Sequence, residues 1–168
     1  RENSSYDYLE TIKNKYYNVR VLNAHRLIGE LRLIKSEEEV NRIRKAIEIT
    51  IKGINTLMDN SKAGMKEYEL EAYFDFVCKQ NGVKDFAFKT IAATGKNATI
   101  LHYVDNDSEL KDGDLILFDL GAQYKYYNAD ISRTFPVNGK FTERQKEVYN
   151  AVLRVNEKVI EAMKPGIN

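Results

Sequence analysis

The sequence lacks several features that mark specialised classes of protein. Its single cysteine, Cys78, excludes an internal disulfide and fits a reducing compartment such as the cytoplasm. No run approaches the roughly 18 apolar residues that a membrane span requires, and the polar opening has no apolar core of the signal-peptide kind. We therefore expect a cytoplasmic chain without a membrane partner.

An excess of one charge is also missing. The 26 basic residues nearly balance the 25 acidic residues, so there is no electrostatic footprint for nucleic acid or for an anionic surface. Small substrates are therefore expected, and nucleic acid is not expected as a partner.

Capping boxes and helical spacing predict three helices in the larger part of the chain. Two boxes open helices, Ser36 with Glu39 and Thr142 with Gln145. The three helices are expected over residues 37–60, over residues 66–81, and from residue 142 toward residue 163.

The apolar positions on these helices predict core stripes rather than a ligand-binding aromatic box. The stripe on the first helix comprises Val40, Ile43, Ile47, Ile51, Ile54 and Leu57. The stripe on the second comprises Leu70, Tyr73, Phe74 and Val77, with Cys78 as a buried, inert thiol. The third helix carries Val148, Val152, Val155 and Val159.

Strand signals follow the second helix. Residues 86–94 and 99–103 indicate two strands around a turn, and a hairpin follows them. The order helix, helix, strands, hairpin, helix predicts an α+β fold, in which helices pack on one face of an antiparallel sheet. Ahead of this unit, a leading piece is expected to contain a helix over residues 6–15, a strand over residues 19–22, and the segment 25–33.

The functional interpretation depends on Asp119 and Asp130. A turn centred between Tyr124 and Lys125 would set Asp119 directly opposite Asp130, on one face of an antiparallel pair. Opposed residues have Cβ atoms about 4.5–5.5 Å apart, so two like charges there need compensation. Two-metal hydrolytic sites place their ions roughly 3.5–4 Å apart, which carboxylates on adjacent strands can bridge.

An ordinary alternative has comparable weight for an arbitrary aspartate pair: one faces solvent near the turn, and the other caps a loop. The local sequence favours the metal interpretation. Asp119 follows the continuous apolar run 115–118, which is typical of a strand covered on both faces, where an unpaired carboxylate is costly. Gly121 leaves room on the Asp119 face for a ligand or another backbone.

His102 is one of only two histidines, the other being His25. It alternates with Leu101 and Tyr103 on the predicted strand, and for a lone strand histidine a structural role is the default. If that strand runs beside the aspartate hairpin, His102 reaches the same concave face.

These motifs resemble a known family. Asp119-Leu120-Gly121 followed by residues 127–142 is similar to the first metal-ligand hairpin of the pita-bread metallopeptidases. The hairpin most resembles that of the Xaa-Pro aminopeptidases (aminopeptidase P), with prolidase next. Residues 31–50 resemble the family's entry into its catalytic domain, and residues 100–103 resemble its histidine strand. The resemblance covers residues 30–168.

The resemblance implies site roles and a domain plan. Asp119 matches an aspartate that binds one metal ion, and Asp130 matches one that bridges two ions. His102 matches a non-ligand histidine that contacts the scissile peptide group and helps to stabilise the tetrahedral intermediate. Residues 1–34 would end a preceding domain, which makes His25 structural, and residues 35–168 would form the first half of a curved pita-bread sheet.

The remaining family ligands, one His and two Glu, belong to a second half that these 168 residues do not contain. The chain is therefore expected to be an inactive fragment that cannot hold a closed two-metal site. We also expect it to self-associate through strand edges and apolar helix surface that the second half would cover.

The resemblance implies that the parent enzyme removes the first residue from peptides with proline at the second position, using two divalent ions. Manganese is favoured, with cobalt or zinc as substitutes. Residues 132–134 resemble the aminopeptidase form more than the dipeptidase form. An Xaa-Pro dipeptidase (prolidase) and a non-catalytic pita-bread module that binds peptides stay open as alternatives.

Overall fold

The computed structural model describes residues 4–167 of the chain. The chain divides into two compact units, Arg1–Ser36 and Glu37–Asn168. The assignment of the first unit to the end of a preceding domain stays a prediction.

The first unit contains two helices, α1 (Ser4–Lys15) and α2 (His25–Leu33). The predicted helix over residues 6–15 is confirmed. The predicted strand over residues 19–22 is wrong, because this segment has no regular structure and pairs with no strand among residues 4–167. His25 is exposed at the start of α2, where its backbone N–H donates to Asn23 Oδ1 at 2.9 Å.

The second unit is an α+β arrangement, as predicted. Its helices are α3 (Glu37–Asn60), α4 (Glu67–Gln80) and α5 (Glu143–Ala162). Its strands are β1 (Ile91–Thr94), β2 (Leu115–Leu120), β3 (Gln123–Tyr124), β4 (Tyr127–Asn128) and β5 (Ile131–Pro136). A 3₁₀ helix, Gly95–Thr99, follows β1.

The main sheet has the antiparallel order β1-β2-β5, and a two-stranded ribbon of β3 and β4 extends the hairpin. Alternate β2 residues, Ile116, Phe118 and Leu120, are fully buried against core residues of α3 and α4. The intervening positions are only half-buried. The prediction that both faces of β2 are covered is therefore wrong within the described residues.

The buried stripe of α3 differs from the predicted one. It comprises Ala46, Ile49, Thr50, Gly53, Ile54 and Leu57. Ile51, a member of the predicted stripe, is 46% exposed. Small residues lie on the buried face because α4 packs closely against α3. A β-carbon at Gly53 would overlap the ring of Phe74.

The second helix matches its predicted stripe. Leu70, Phe74 and Val77 are buried, and Tyr73 packs against the same core. Cys78 is fully buried, and burial raises the pKa of its thiol to about 12, as does the charge of Asp75. The thiol is therefore inert at neutral pH, as expected.

The strands before the hairpin are shorter than predicted. Only Ile91–Thr94 of the segment 86–94 is a strand, while Phe86 forms an isolated bridge with Ala122. The predicted strand over residues 99–103 is wrong, because the chain passes from the 3₁₀ helix into a turn in which His102 has a left-handed φ of 56°.

Helix α5 begins at the predicted capping box, in which Thr142 Oγ1 accepts a hydrogen bond from Gln145 N. Its apolar residues are all exposed within this chain. Among residues 4–167, no helix has the length and apolar character needed to span a membrane.

Candidate metal and active site

The structure does not pair Asp119 with Asp130 across the ladder. Asp119 lies opposite Ser132, and Asp130 immediately precedes β5. The expectation of direct opposition is wrong because the turn residues are Lys125 and Tyr126, one position beyond the predicted centre. Both adopt positive φ angles, 48° and 71°, as a two-residue type I′ hairpin turn requires.

Asp119 and Asp130 still lie on the same face of the sheet despite this change of register. A displaced turn centre moves every cross-strand partner by two residues, and side chains return to the same face every two residues. Asp130 therefore stays on the Asp119 face, as a diagonal neighbour instead of a direct one. This is the face of β2 that points away from α3 and α4.

The two carboxyl groups interact. Desolvation raises the pKa of Asp130 above its ordinary value of 3.8, and the charge of Asp119 and a hydrogen bond to it raise that pKa further. Ser132 Oγ donates to Asp119 Oδ1 at 3.0 Å. Like charges at this spacing favour a shared proton or a bound cation.

Gly121 permits a close approach of backbone to backbone. A β-carbon at Gly121 would overlap the carbonyl oxygen of Ala129. The room that the sequence indicated beside Asp119 is therefore occupied by the chain just before Asp130. Ala129 N also donates to Ala122 O at 3.0 Å, which ties this segment to the end of β2.

One cavity of about 280 Å³ brings the three predicted site residues together. We call it the aspartate cavity, and it is lined by Phe88, Lys89, Ile91, His102, Val104, Asp119 and Asp130. His102 reaches it from a turn rather than from a strand. His25 lies in the other unit of the chain.

Ser132 and Lys89 also lie at this site, although the sequence does not predict either of them there. Ser132 could have been found only from the correct register, which the turn conformation decides. Lys89 lies in the predicted strand 86–94, and nothing in its neighbours distinguishes it from an ordinary exposed lysine.

The residues present fit part of a metal centre. Two neighbouring carboxylates, of which Asp130 has a raised pKa, are suitable oxygen ligands for a hard or borderline divalent ion. Within residues 4–167, no three His, Cys, Asp or Glu side chains come close enough together to hold an ion. Asp119 and Asp130 would hold such an ion from one side only.

Comparison with known proteins identifies the family. The profile of metallopeptidase family M24 matches residues 41–168, most of the chain. The chain belongs to metallopeptidase family M24. M24 metallopeptidases are dinuclear metal enzymes. Two neighbouring aspartates are side chains of the kind that can bind such metal ions.

Curated M24 relatives include both peptidase types considered above. The chain is 43% identical to Xaa-Pro aminopeptidase of Escherichia coli (strain K12), over 83% of this chain and 32% of that protein. It is 39% identical to Xaa-Pro dipeptidase of Pyrococcus horikoshii, over 96% of this chain and 46% of that protein. The chain thus spans from 32% to 46% of the length of these two relatives.

Solved structures of aminopeptidase P are similar to this chain in both fold and sequence. A Bacillus anthracis protein assigned as an aminopeptidase P superposes with a TM-score of 0.92 at 48% identity, over 99% of this chain and 40% of that one. Escherichia coli aminopeptidase P in complex with substrate gives 0.84 at 41% identity, over 86% and 33%. A zinc-substituted form of that enzyme matches equally well. The expected pita-bread fold is confirmed for this M24 chain.

Proposed function

We propose that this chain forms the first half of the catalytic domain of a dinuclear-metal exopeptidase that releases the N-terminal residue from Xaa-Pro peptides. The observation that carries the proposal is the aspartate cavity, where two interacting carboxylates and a histidine line one surface. Family membership and the similarity to Xaa-Pro aminopeptidase support it.

In this proposal Asp119 and Asp130 hold two divalent ions together with ligands from the remaining half of the domain. Manganese is the favoured ion because the ligands from this half are carboxylate oxygens, and cobalt or zinc could replace it. When bound, such ions would lower the pKa of a coordinated water and would polarise the peptide carbonyl.

His102 is proposed to hold the scissile amide or to donate a hydrogen bond to the developing oxyanion. It lies on the wall of the aspartate cavity beside the two carboxylates, which suits contact with a bound peptide. Such a donor is commonly worth about 3–4 kcal/mol of transition-state stabilisation. Ser132 would orient Asp119 through its hydrogen bond.

The proposed partners are peptides with proline at the second position. We propose neither nucleic acid nor a membrane as a partner, since the formal net charge is only +1. A cytoplasmic location is proposed because the free thiol of Cys78 is compatible with a reducing compartment.

Two substrate lengths separate the candidate activities. In the complete enzyme, an aminopeptidase hydrolyses Xaa-Pro-Xaa tripeptides, whereas a dipeptidase hydrolyses only Xaa-Pro. The matched variant Asp119→Asn should abolish whichever activity is present, while Asp59→Asn on the exposed surface of α3 should leave it intact. If the manganese-loaded complete enzyme hydrolyses neither peptide, both the aminopeptidase and the dipeptidase activity are refuted. The non-catalytic module that binds peptides is then the remaining candidate.

A further inference from the structure

The segment that carries His102 is held in an unfavourable backbone conformation. We call residues 95–108 the histidine loop. Two of its non-glycine residues have left-handed φ angles, 56° at His102 and 48° at Asn106. Such conformations cost free energy and persist only where surrounding contacts determine them.

A buried carboxylate supplies such contacts on both sides of His102, whereas the side chain of Asn106 bonds to Ala92 N and to Thr90 O. Glu67, the first residue of α4, is fully buried. Its Oε1 accepts from Thr94 N at 2.7 Å and from Asn97 Nδ2 at 3.0 Å. Its Oε2 accepts from Tyr103 OH at 2.8 Å and from Ser108 N at 3.0 Å. One side chain thus binds the loop at its beginning, middle and end.

Neutral donors compensate this charge, since Glu67 has no ion-pair partner among residues 4–167. A buried carboxylate is costly unless hydrogen bonds satisfy it, and the N-terminus of α4 also favours a negative charge there. Because four donors meet on two oxygens, the arrangement leaves the loop little freedom to take another conformation.

The connection to His102 runs through the adjacent residue. Tyr103 is 7% exposed and packs with Ile91 and Ala93 of β1, while its hydroxyl reaches Glu67. Anchoring Tyr103 inward fixes the backbone beside it. His102 is then left at the wall of the aspartate cavity, where Ile91 also lies.

We propose that Glu67 is a positioning residue for His102: it locks the histidine loop so that the imidazole stays beside Asp119 and Asp130. The proposal rests on the proposed function for its kinetic consequence, although the loop geometry stands without it. Glu67 does not touch the aspartate cavity, so its effect on catalysis has to pass through the loop.

A double-mutant cycle in the complete manganese-loaded enzyme tests the proposal. Glu67→Gln replaces an acceptor oxygen by an NH₂ group and so breaks at least one of the four bonds. We expect kcat to fall about a hundredfold, as for a displaced catalytic group, with KM nearly unchanged. In the His102→Ala background, the same substitution should lower kcat little further, because the group that it positions is gone.

Two further variants keep the test decisive. Tyr103→Phe removes a single donor and serves if Glu67→Gln does not fold; its smaller loss of kcat should also vanish in the His102→Ala background. Leu57→Ala, a cavity in the core under α3, controls for loss of stability and should leave kcat unchanged at a temperature where it is folded.

A spectroscopic measurement separates this proposal from the proposed function. In the ¹³C-histidine-labelled 168-residue chain, the two histidine ring signals are assigned by His102→Ala. Glu67→Gln should shift or double the His102 signal, whereas Leu57→Ala should not. If the enzyme cleaves neither peptide but this signal responds, the function fails and the positioning role stands.

Two results would overturn the positioning role. One is an equal fall of kcat on Glu67→Gln with and without His102. The other is an unchanged His102 signal in a folded Glu67→Gln or Tyr103→Phe chain. Either result would show that Glu67 supports stability alone.

Discussion

Asp119 and Asp130 illustrate how a proposed metal-binding pair can cost stability at the scale of single residues. Their carboxyl groups lie on one face, and the charge of Asp119 contributes to the raised pKa of Asp130. Ser132 satisfies one oxygen of Asp119, but it brings no positive charge. Without a cation, the folded chain carries a repulsion that the unfolded chain relieves by separating the two groups.

This repulsion predicts a pH dependence of the free energy of unfolding. Below pH 3.8, the ordinary pKa of an aspartate, Asp130 is protonated in both the folded and the unfolded chain, and the charge repulsion is absent. As the pH rises through the raised pKa of Asp130, the folded state loses stability relative to the unfolded state. Asp119→Asn should therefore stabilise the metal-free chain. The gain should grow as the pH rises from 3.8 through the raised pKa of Asp130.

Urea unfolding in EDTA at a series of pH values from about 3.5 to 7 measures the effect. Asp59→Asn, an exposed aspartate on α3, is the control and should show no such growth. A stability difference between Asp119→Asn and the parent chain that does not vary with pH would contradict the prediction.

At the scale of elements, close packing of α3 on α4 decides which face of α3 is buried. The predicted stripe consists of large apolar side chains, and it includes the exposed Ile51. The observed stripe passes through Gly53, against which the ring of Phe74 packs. Thr50 also lies in this stripe, and its hydroxyl accepts a hydrogen bond from Ala122 N at 3.0 Å, which joins α3 to the hairpin.

Gly53→Ala should therefore destabilise the second unit. Overpacking typically costs about 1–3 kcal/mol, and this should exceed the gain of roughly 1 kcal/mol that alanine brings to a helix interior. Gly29→Ala is the matched control, because its helix position has open space around it and should gain helicity. Thermal unfolding monitored by circular dichroism compares the two, and a stabilised Gly53→Ala chain would contradict the packing argument.

At the scale of the whole molecule, the described residues form part of a site and part of a core. The aspartate cavity has carboxylates from one hairpin, and no third metal-binding side chain joins them within residues 4–167. Helix α5 likewise presents an amphipathic stripe, Val148, Val152, Val155 and Val159, that is exposed among the described residues. Both features fit a chain that spans less than half of its relatives.

The incomplete ligand set predicts weak metal binding by the 168-residue chain. Manganese titration followed by calorimetry should show no tight two-ion binding, because two carboxylates cannot complete the coordination of two ions. Asp119→Asn should weaken whatever binding is present. A submicromolar two-site isotherm would contradict this prediction, and so would hydrolysis of Xaa-Pro-Xaa by the chain alone.

The uncovered stripe of α5 predicts self-association. We expect sedimentation velocity to show a mass that increases with concentration, because an exposed apolar stripe gains free energy when it is covered. Val152→Lys combined with Val159→Lys should restore the monomer. Asn150→Lys combined with Glu157→Lys, on the other side of the helix, should not, and equal effects of the two pairs would refute the role of the stripe.

The amino-acid sequence by itself determined the features that depend on local interactions. The bounds of α3 follow from its spacing and from residues near its ends, and the start of α5 follows from the bond between Thr142 and Gln145. The hairpin strands and the candidate aspartates also followed from the sequence, since strand pattern and residue type are local properties.

Only the tertiary structure decided the register of the hairpin, the buried face of α3, and the conformation around His102. The register depends on Lys125 and Tyr126 adopting left-handed φ angles, which neither residue type favours. The turn at His102 replaces a predicted strand because Glu67, 36 residues away from Tyr103 in the chain, bonds to the Tyr103 hydroxyl. Contacts between residues so distant in sequence leave no periodic signal, and so they become visible only when the chain is folded.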